Sequence, residues 1–124
     1  MRDIVMTSLL STTIAMITLP AYAGDVVAKG SFTGASNHAT TGGVHVTADT
    51  VELQDDFSLD GAPDPKVGFG KDGVYDSDTT LAILESNTGA QTYQLPDDVD
   101  PKAYNEVYIW CEKFAVPLGV AKLQ

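Results

Sequence analysis

The chain has 124 residues, with 17 Asp and Glu against 7 Lys and Arg, and a formal net charge of −10. That balance makes nucleic acid and anionic membrane surfaces poor partners, because their phosphates would be repelled. The length holds one ordinary domain behind a leader, and Cys111 is the only cysteine, which excludes an internal disulfide.

Residues 1–23 read as an export signal. Arg2 supplies a positive start, beside Asp3, and residues 4–19 carry no charge. Pro20 breaks the apolar run, and Ala21 and Ala23 are the small residues that a signal peptidase reads. Cleavage after Ala23 leaves Gly24 first, not the cysteine that a lipid anchor needs. Ser8, Ser11, Thr12 and Thr13 interrupt the run, which is shorter than the ~20 apolar residues of a membrane span. The expectation is an exported chain, periplasmic or extracellular, whose mature part, residues 24–124, is one domain with no membrane span. Arg2 and Asp3 cancel, so the net negative charge stays with that part.

From residue 26 onward, short β-branched and aromatic runs alternate with Gly, Pro, Asn and Asp clusters, and no helical periodicity is present. Residues 26–32 read as a first strand and residues 33–41 as a polar loop. Val44 and Val46 alternate with His45 and Thr47, and Val51 and Leu53 with Glu52 and Gln54, the period-two mark of half-buried strands. Phe57 and Leu59 continue the apolar set. Pro63 and Pro65 then lack two backbone donors, so residues 60–65 are not expected in a central strand. Val67 with Phe69, residues 81–84 and residues 90–95 read as further short strands. Residues 104–111 read as the strongest strand, with Val107, Ile109 and Cys111 on one face and Tyr108 and Trp110 on the other. Both faces are apolar or aromatic, which predicts a strand in the middle of the structure. Residues 119–123 close the domain. The predicted fold is all-β: an antiparallel sandwich or barrel-like domain of about eight short strands, expected in two packed layers.

Cys111 is the most informative reactive group. An unpaired cysteine in an exported protein is either a small buried hydrophobe or a redox or ligating thiol. Its setting among Val107, Tyr108, Ile109 and Trp110 favours burial. Lys113 favours a thiolate and Glu112 opposes it, if either is close. His38 and His45 are the only imidazoles, and their spacing matches no compact zinc motif. His45 is expected to face outward, whereas His38 sits in a polar loop and is free to approach a site. A Cys–His pair suits haem or copper, provided that Cys111 and a histidine converge. No orienting group or oxyanion element completes a Cys–His hydrolase. The acidic runs at residues 76–78 and 97–100 lack the frame of a calcium loop and read as solvated. Trp110 and the tyrosines read as core and sheet-face packing rather than a platform for sugars.

Taken together, Gly30 to Phe32, His38, Gly43, Leu53 with Phe57, the turn at residues 61–64 and above all residues 104–123 resemble the DM-thirteen domain, also called the electron-transfer DM-thirteen domain. Gly89, Gln91, Tyr93, Leu95 and Pro96 match the block before the last stretch. The resemblance implies an all-β fold and redox chemistry at the position of Cys111, as a bare thiol or as a ligand to a group such as haem. His38 is then the best second ligand or proton partner. Leu118-Gly119 stands where a phenylalanine-glycine pair is typical of the family. The electron donor or acceptor is expected to be a separate partner protein. The alternative is a non-enzymatic binding or structural module of the cell envelope or extracellular space, in which Cys111 merely packs.

Overall fold

The computed structural model describes residues 24–124, so the expected export signal lies outside the described residues. Eleven strands form in chain order: β1 (Val26–Gly34), β2 (Thr40–Thr41), β3 (Gly43–Thr47), β4 (Thr50–Leu53), β5 (Ser58–Leu59), β6 (Pro65–Lys71), β7 (Val74–Tyr75), β8 (Ala82–Ile83), β9 (Gln91–Gln94), β10 (Glu106–Cys111) and β11 (Val116–Lys122). Single 3-10 turns, Ser77–Thr79 and Pro101–Ala103, interrupt them. Each is opened by an aspartate, Asp76 or Asp100, whose carboxylate accepts from a backbone N–H in the turn.

Eight strands run in the order β7-β6-β10-β11-β1-β3-β4-β9, every neighbour antiparallel, and curl into a half-barrel. The short β8 shares the free edge of β6 with β7, and β2 pairs β5 in a separate small ribbon. The barrel-like form of the predicted fold is therefore the one adopted, rather than two separate layers. Strand β1 makes the difference. Its first part, from Val26 to Ser31, pairs with β3, and its last part, from Phe32 to Gly34, pairs with β11. One strand thus stitches both halves into a continuous sheet.

The period-two pattern predicts the core well. Val44, Val46, Val51, Leu53, Phe57 and Leu59 are buried, together with Phe69, Val107, Ile109 and Cys111. Burying each such aliphatic or aromatic side chain contributes roughly 1.5–3 kcal/mol. Phe32 and Phe57 meet edge to face with centroids 5.5 Å apart, tying β1 to the segment before β5. Strand β10 is paired on both edges, with β6 and with β11, as its two apolar faces require.

Three local expectations shift. Residues 33–41 are not all loop, because β1 runs on to Gly34 and Thr40–Thr41 forms β2. The strand expected at residues 81–84 shrinks to Ala82–Ile83, with Ile83 turned outward. Pro65 does enter an inner strand. It takes the first position of β6, opposite Cys111, where a missing N–H interrupts the ladder least.

Candidate functional site

Cys111 ends β10 on the core side and is 1% exposed. Its Sγ–H donates to the carbonyl of Pro63 at 3.3 Å. That carbonyl belongs to the loop of residues 60–64, which joins β5 to β6. Two left-handed residues shape the loop, Gly61 at φ 107° and Asp64 at φ 51°. Glycine suits the first without strain, and aspartate is among the side chains that tolerate the second. Beyond the turn, the Asp64 carbonyl accepts from Glu112 N–H at 3.2 Å, and the Asp64 carboxylate pairs with Lys66 Nζ at 3.2 Å. The loop is therefore fastened on both sides of the thiol.

His38 reaches the same loop at its other end. Its Nδ1 lies 2.8 Å from Asp60 Oδ1, while Ala39 N–H donates to Asp60 Oδ2 at 3.0 Å. The Ala39 N–H and then the His38 ring hold the Asp60 carboxyl below its ordinary pKa, as hydrogen bonds to a charged form do. Cys111 and His38 thus share a loop without sharing a hydrogen bond. His45 stands on the outward face of β3, in register with Lys29 and Glu52, and takes no part.

A haem ligand needs open space on the free side of the sulfur. Cys111 has core packing on one side and the Pro63 carbonyl on the other, and His38 is engaged with Asp60. As packed, these residues do not fit a porphyrin between them. Among the described residues no group of three or more His, Cys, Asp or Glu side chains gathers as for a metal ion. The acidic residues 76 and 100 instead cap their 3-10 turns.

The opposite face of β10 carries a second arrangement. Tyr75 on β7 stacks on Trp110 with centroids 4.4 Å apart and planes 12° from parallel. Tyr108 closes the group, 5.4 Å from Tyr75. Glycines on β6 make the space. A Cβ on Gly68 would sit 2.7 Å from the Tyr75 hydroxyl, and one on Gly70 would sit 2.5 Å from the Val74 carbonyl oxygen and 2.8 Å from Tyr108 Cδ2. Glu106, 5% exposed, accepts from Gly73 N–H at 2.8 Å and from the Tyr108 hydroxyl at 3.2 Å. Burial foremost, then the Glu106 charge, pushes the Tyr108 phenol up to about 12.

These aromatics line an open hollow of about 860 Å³. Tyr108, Trp110 and Val120 form its floor, the β6–β7 hairpin one wall and the end of β1 the other. The expectation of sheet-face packing holds for the three rings, yet they also face this space. Lys122, Glu106 and Tyr75 were not singled out by the sequence reading. The readable signal was Gly68 and Gly70 alternating within a strand, a mark of close approach by another group.

A curled antiparallel sheet, a single thiol at the end of its best-paired strand and a loop fastened over that thiol define a small all-β module. The chain belongs to the electron transfer DM13 family, whose model matches residues 31–123. That description gives it a redox role in coarse terms. No curated protein and no solved structure matches the chain. No helix among the described residues is long and apolar enough to cross a membrane.

Proposed function

We propose that this chain is an exported electron-transfer module, periplasmic or extracellular, in which Cys111 is the redox thiol. The observation that supports the reading is the loop of residues 60–64, which covers Cys111 through Pro63 and carries Asp60, the anchor of His38. In the closed loop the thiol is shielded from solvent. Displacing the loop frees Sγ, and His38, held by Asp60 of that loop, is the imidazole assigned as proton acceptor. The chemistry is exchange with the disulfide of a separate partner protein. The Cys111 thiolate bonds to one partner sulfur, and the other leaves as a thiolate with the electron pair of the broken S–S bond. His38 takes the proton lost from Cys111.

The experiment is thiol labelling of the folded protein with Ellman's reagent, beside electrochemistry of the wild type and Cys111→Ser. Labelling should be slow but faster than global unfolding, and Asp60→Asn should accelerate it by loosening the loop. A labelling rate equal to the unfolding rate, with identical redox behaviour in Cys111→Ser, would sink the proposal. A second reading, a non-enzymatic binding module, is favoured by the open aromatic hollow on the other face of β10.

A further inference from the structure

The hollow over Tyr108, Trp110 and Val120 has the volume of a small-molecule site, about 860 Å³ against ~300–1,000 Å³ for typical ligand pockets. Its surface is mainly apolar. Val74 at the rim is 69% exposed, so its side chain is free to contact whatever enters the hollow. The Tyr75–Trp110 stack leaves the rings held rigidly by each other and by the bare backbone of Gly68 and Gly70. A flat ring placed on such a surface loses little entropy on the protein's side.

Charge narrows the occupant. Glu106 lines the hollow, but its carboxylate is taken up by Gly73 N–H and the Tyr108 hydroxyl. Lys122, the other charged residue lining it, is exposed. Both ion pairs among the described residues lie elsewhere, His38 with Asp60 and Lys66 with Asp64. Lys122 stands opposite Glu106 in the β10–β11 register, is the one cationic residue lining the hollow, and makes no ion pair among the described residues. Such a site selects a ligand with the opposite sign beside a flat apolar body.

We infer that this hollow binds a small planar aromatic compound bearing a carboxylate or similar anionic group, its ring against Trp110 and its charge at Lys122. The inference rests on the binding reading and is independent of the redox chemistry of Cys111. Trp110 is the only tryptophan in the chain, so its fluorescence reports on the hollow directly. The test titrates 2-naphthoate into the full mature chain by calorimetry and follows Trp110 emission in parallel, with uncharged 2-naphthalenemethanol as the comparison. Saturable one-site binding with a change in Trp110 emission is expected. Lys122→Gln should weaken 2-naphthoate about three- to fivefold, as an exposed ion pair does, and leave the alcohol unchanged. Val74→Asp, at an exposed rim position, should weaken 2-naphthoate by roughly tenfold or more through lost apolar contact and added like charge, without altering the fold. Equal affinities for both compounds and no effect of Lys122→Gln would overturn the anionic class while sparing the binding reading. Absence of saturable binding by either compound would overturn both.

Discussion

Trp110 and Cys111 are consecutive on β10, yet their side chains enter opposite faces of the sheet. Trp110 lies in the open hollow, stacked on Tyr75, whereas Cys111 is sealed in the core and bonded to the Pro63 carbonyl. One strand therefore carries both the aromatic surface and the thiol. The strict alternation of an extended strand enforces this separation. A ligand in the hollow reaches Trp110 without disturbing Cys111, and a partner reaching Cys111 must move the loop of residues 60–64.

Cys111 belongs to the same buried core cluster as Val67, Leu84 and Ile109. Cys111→Ala should lower stability by about 1–2 kcal/mol, mainly through the void left by sulfur. Urea denaturation of the two proteins checks this. An unchanged midpoint would mean that the thiol contributes nothing to the core.

Gly68 and Gly70 offer a matched pair of substitutions. A methyl on Gly70 meets the backbone oxygen of Val74 and the buried ring of Tyr108. A methyl on Gly68 meets only the far end of Tyr75, a half-buried side chain rather than backbone. Gly70→Ala should therefore cost roughly 2 kcal/mol or more through overpacking, and Gly68→Ala distinctly less. The milder variant should still change Trp110 emission, because moving Tyr75 breaks the 4.4 Å stack. Thermal melts with fluorescence detection separate the two effects.

Asp60 makes the loop sensitive to acid. Its carboxyl is held below the ordinary value first by Ala39 N–H and then by His38, so the folded chain binds its proton later than the unfolded chain does. The stability it contributes is present above the unfolded pKa and is lost as pH falls through the folded value. Denaturation midpoints measured from about pH 5 down to about pH 2 should fall more steeply for the wild type than for Asp60→Asn. Parallel slopes would show that the His38–Asp60 contact does not stabilise the loop.

Tyr108 acts at the other end of the pH scale. Its phenol is raised to about 12 by burial and by Glu106, so the folded state keeps a proton that the unfolded chain releases earlier. The stability linked to it is complete below the unfolded pKa and declines as pH rises through the folded value. Ultraviolet titration of the native protein should show a late-ionising tyrosine near pH 12, absent in Tyr108→Phe. The variant should also lose less stability between about pH 10 and 12.

Much of this protein was legible in its amino-acid order. Period-two alternation identified the apolar faces of β3, β4 and β10, because a strand with one buried face must repeat apolar residues every second position, although Thr47, read as outward with His45, is buried beside Thr50. The absence of helical periodicity excluded α-helical layers, and the burial of Cys111 followed from its apolar neighbours. The resemblance carried by residues 104–123 agreed with the family to which the chain belongs. What the order of residues left open depended on contacts between distant segments. Nothing local states that β1 pairs with both β3 and β11 and so turns two layers into one curled sheet. Nothing local states that Asp60 meets His38 or that Pro63 covers Cys111, because loop positions carry no periodic signal and their partners lie 22 and 48 residues away. Likewise the tyrosines and Trp110 were readable as sheet-face residues, but their joining into one surface required the β6–β7 hairpin to fold over Gly68 and Gly70. Alternation along a strand is a local property that sequence determines by itself. Which strands and loops come to lie against each face is a property of the closed sheet, and only the tertiary structure decided it.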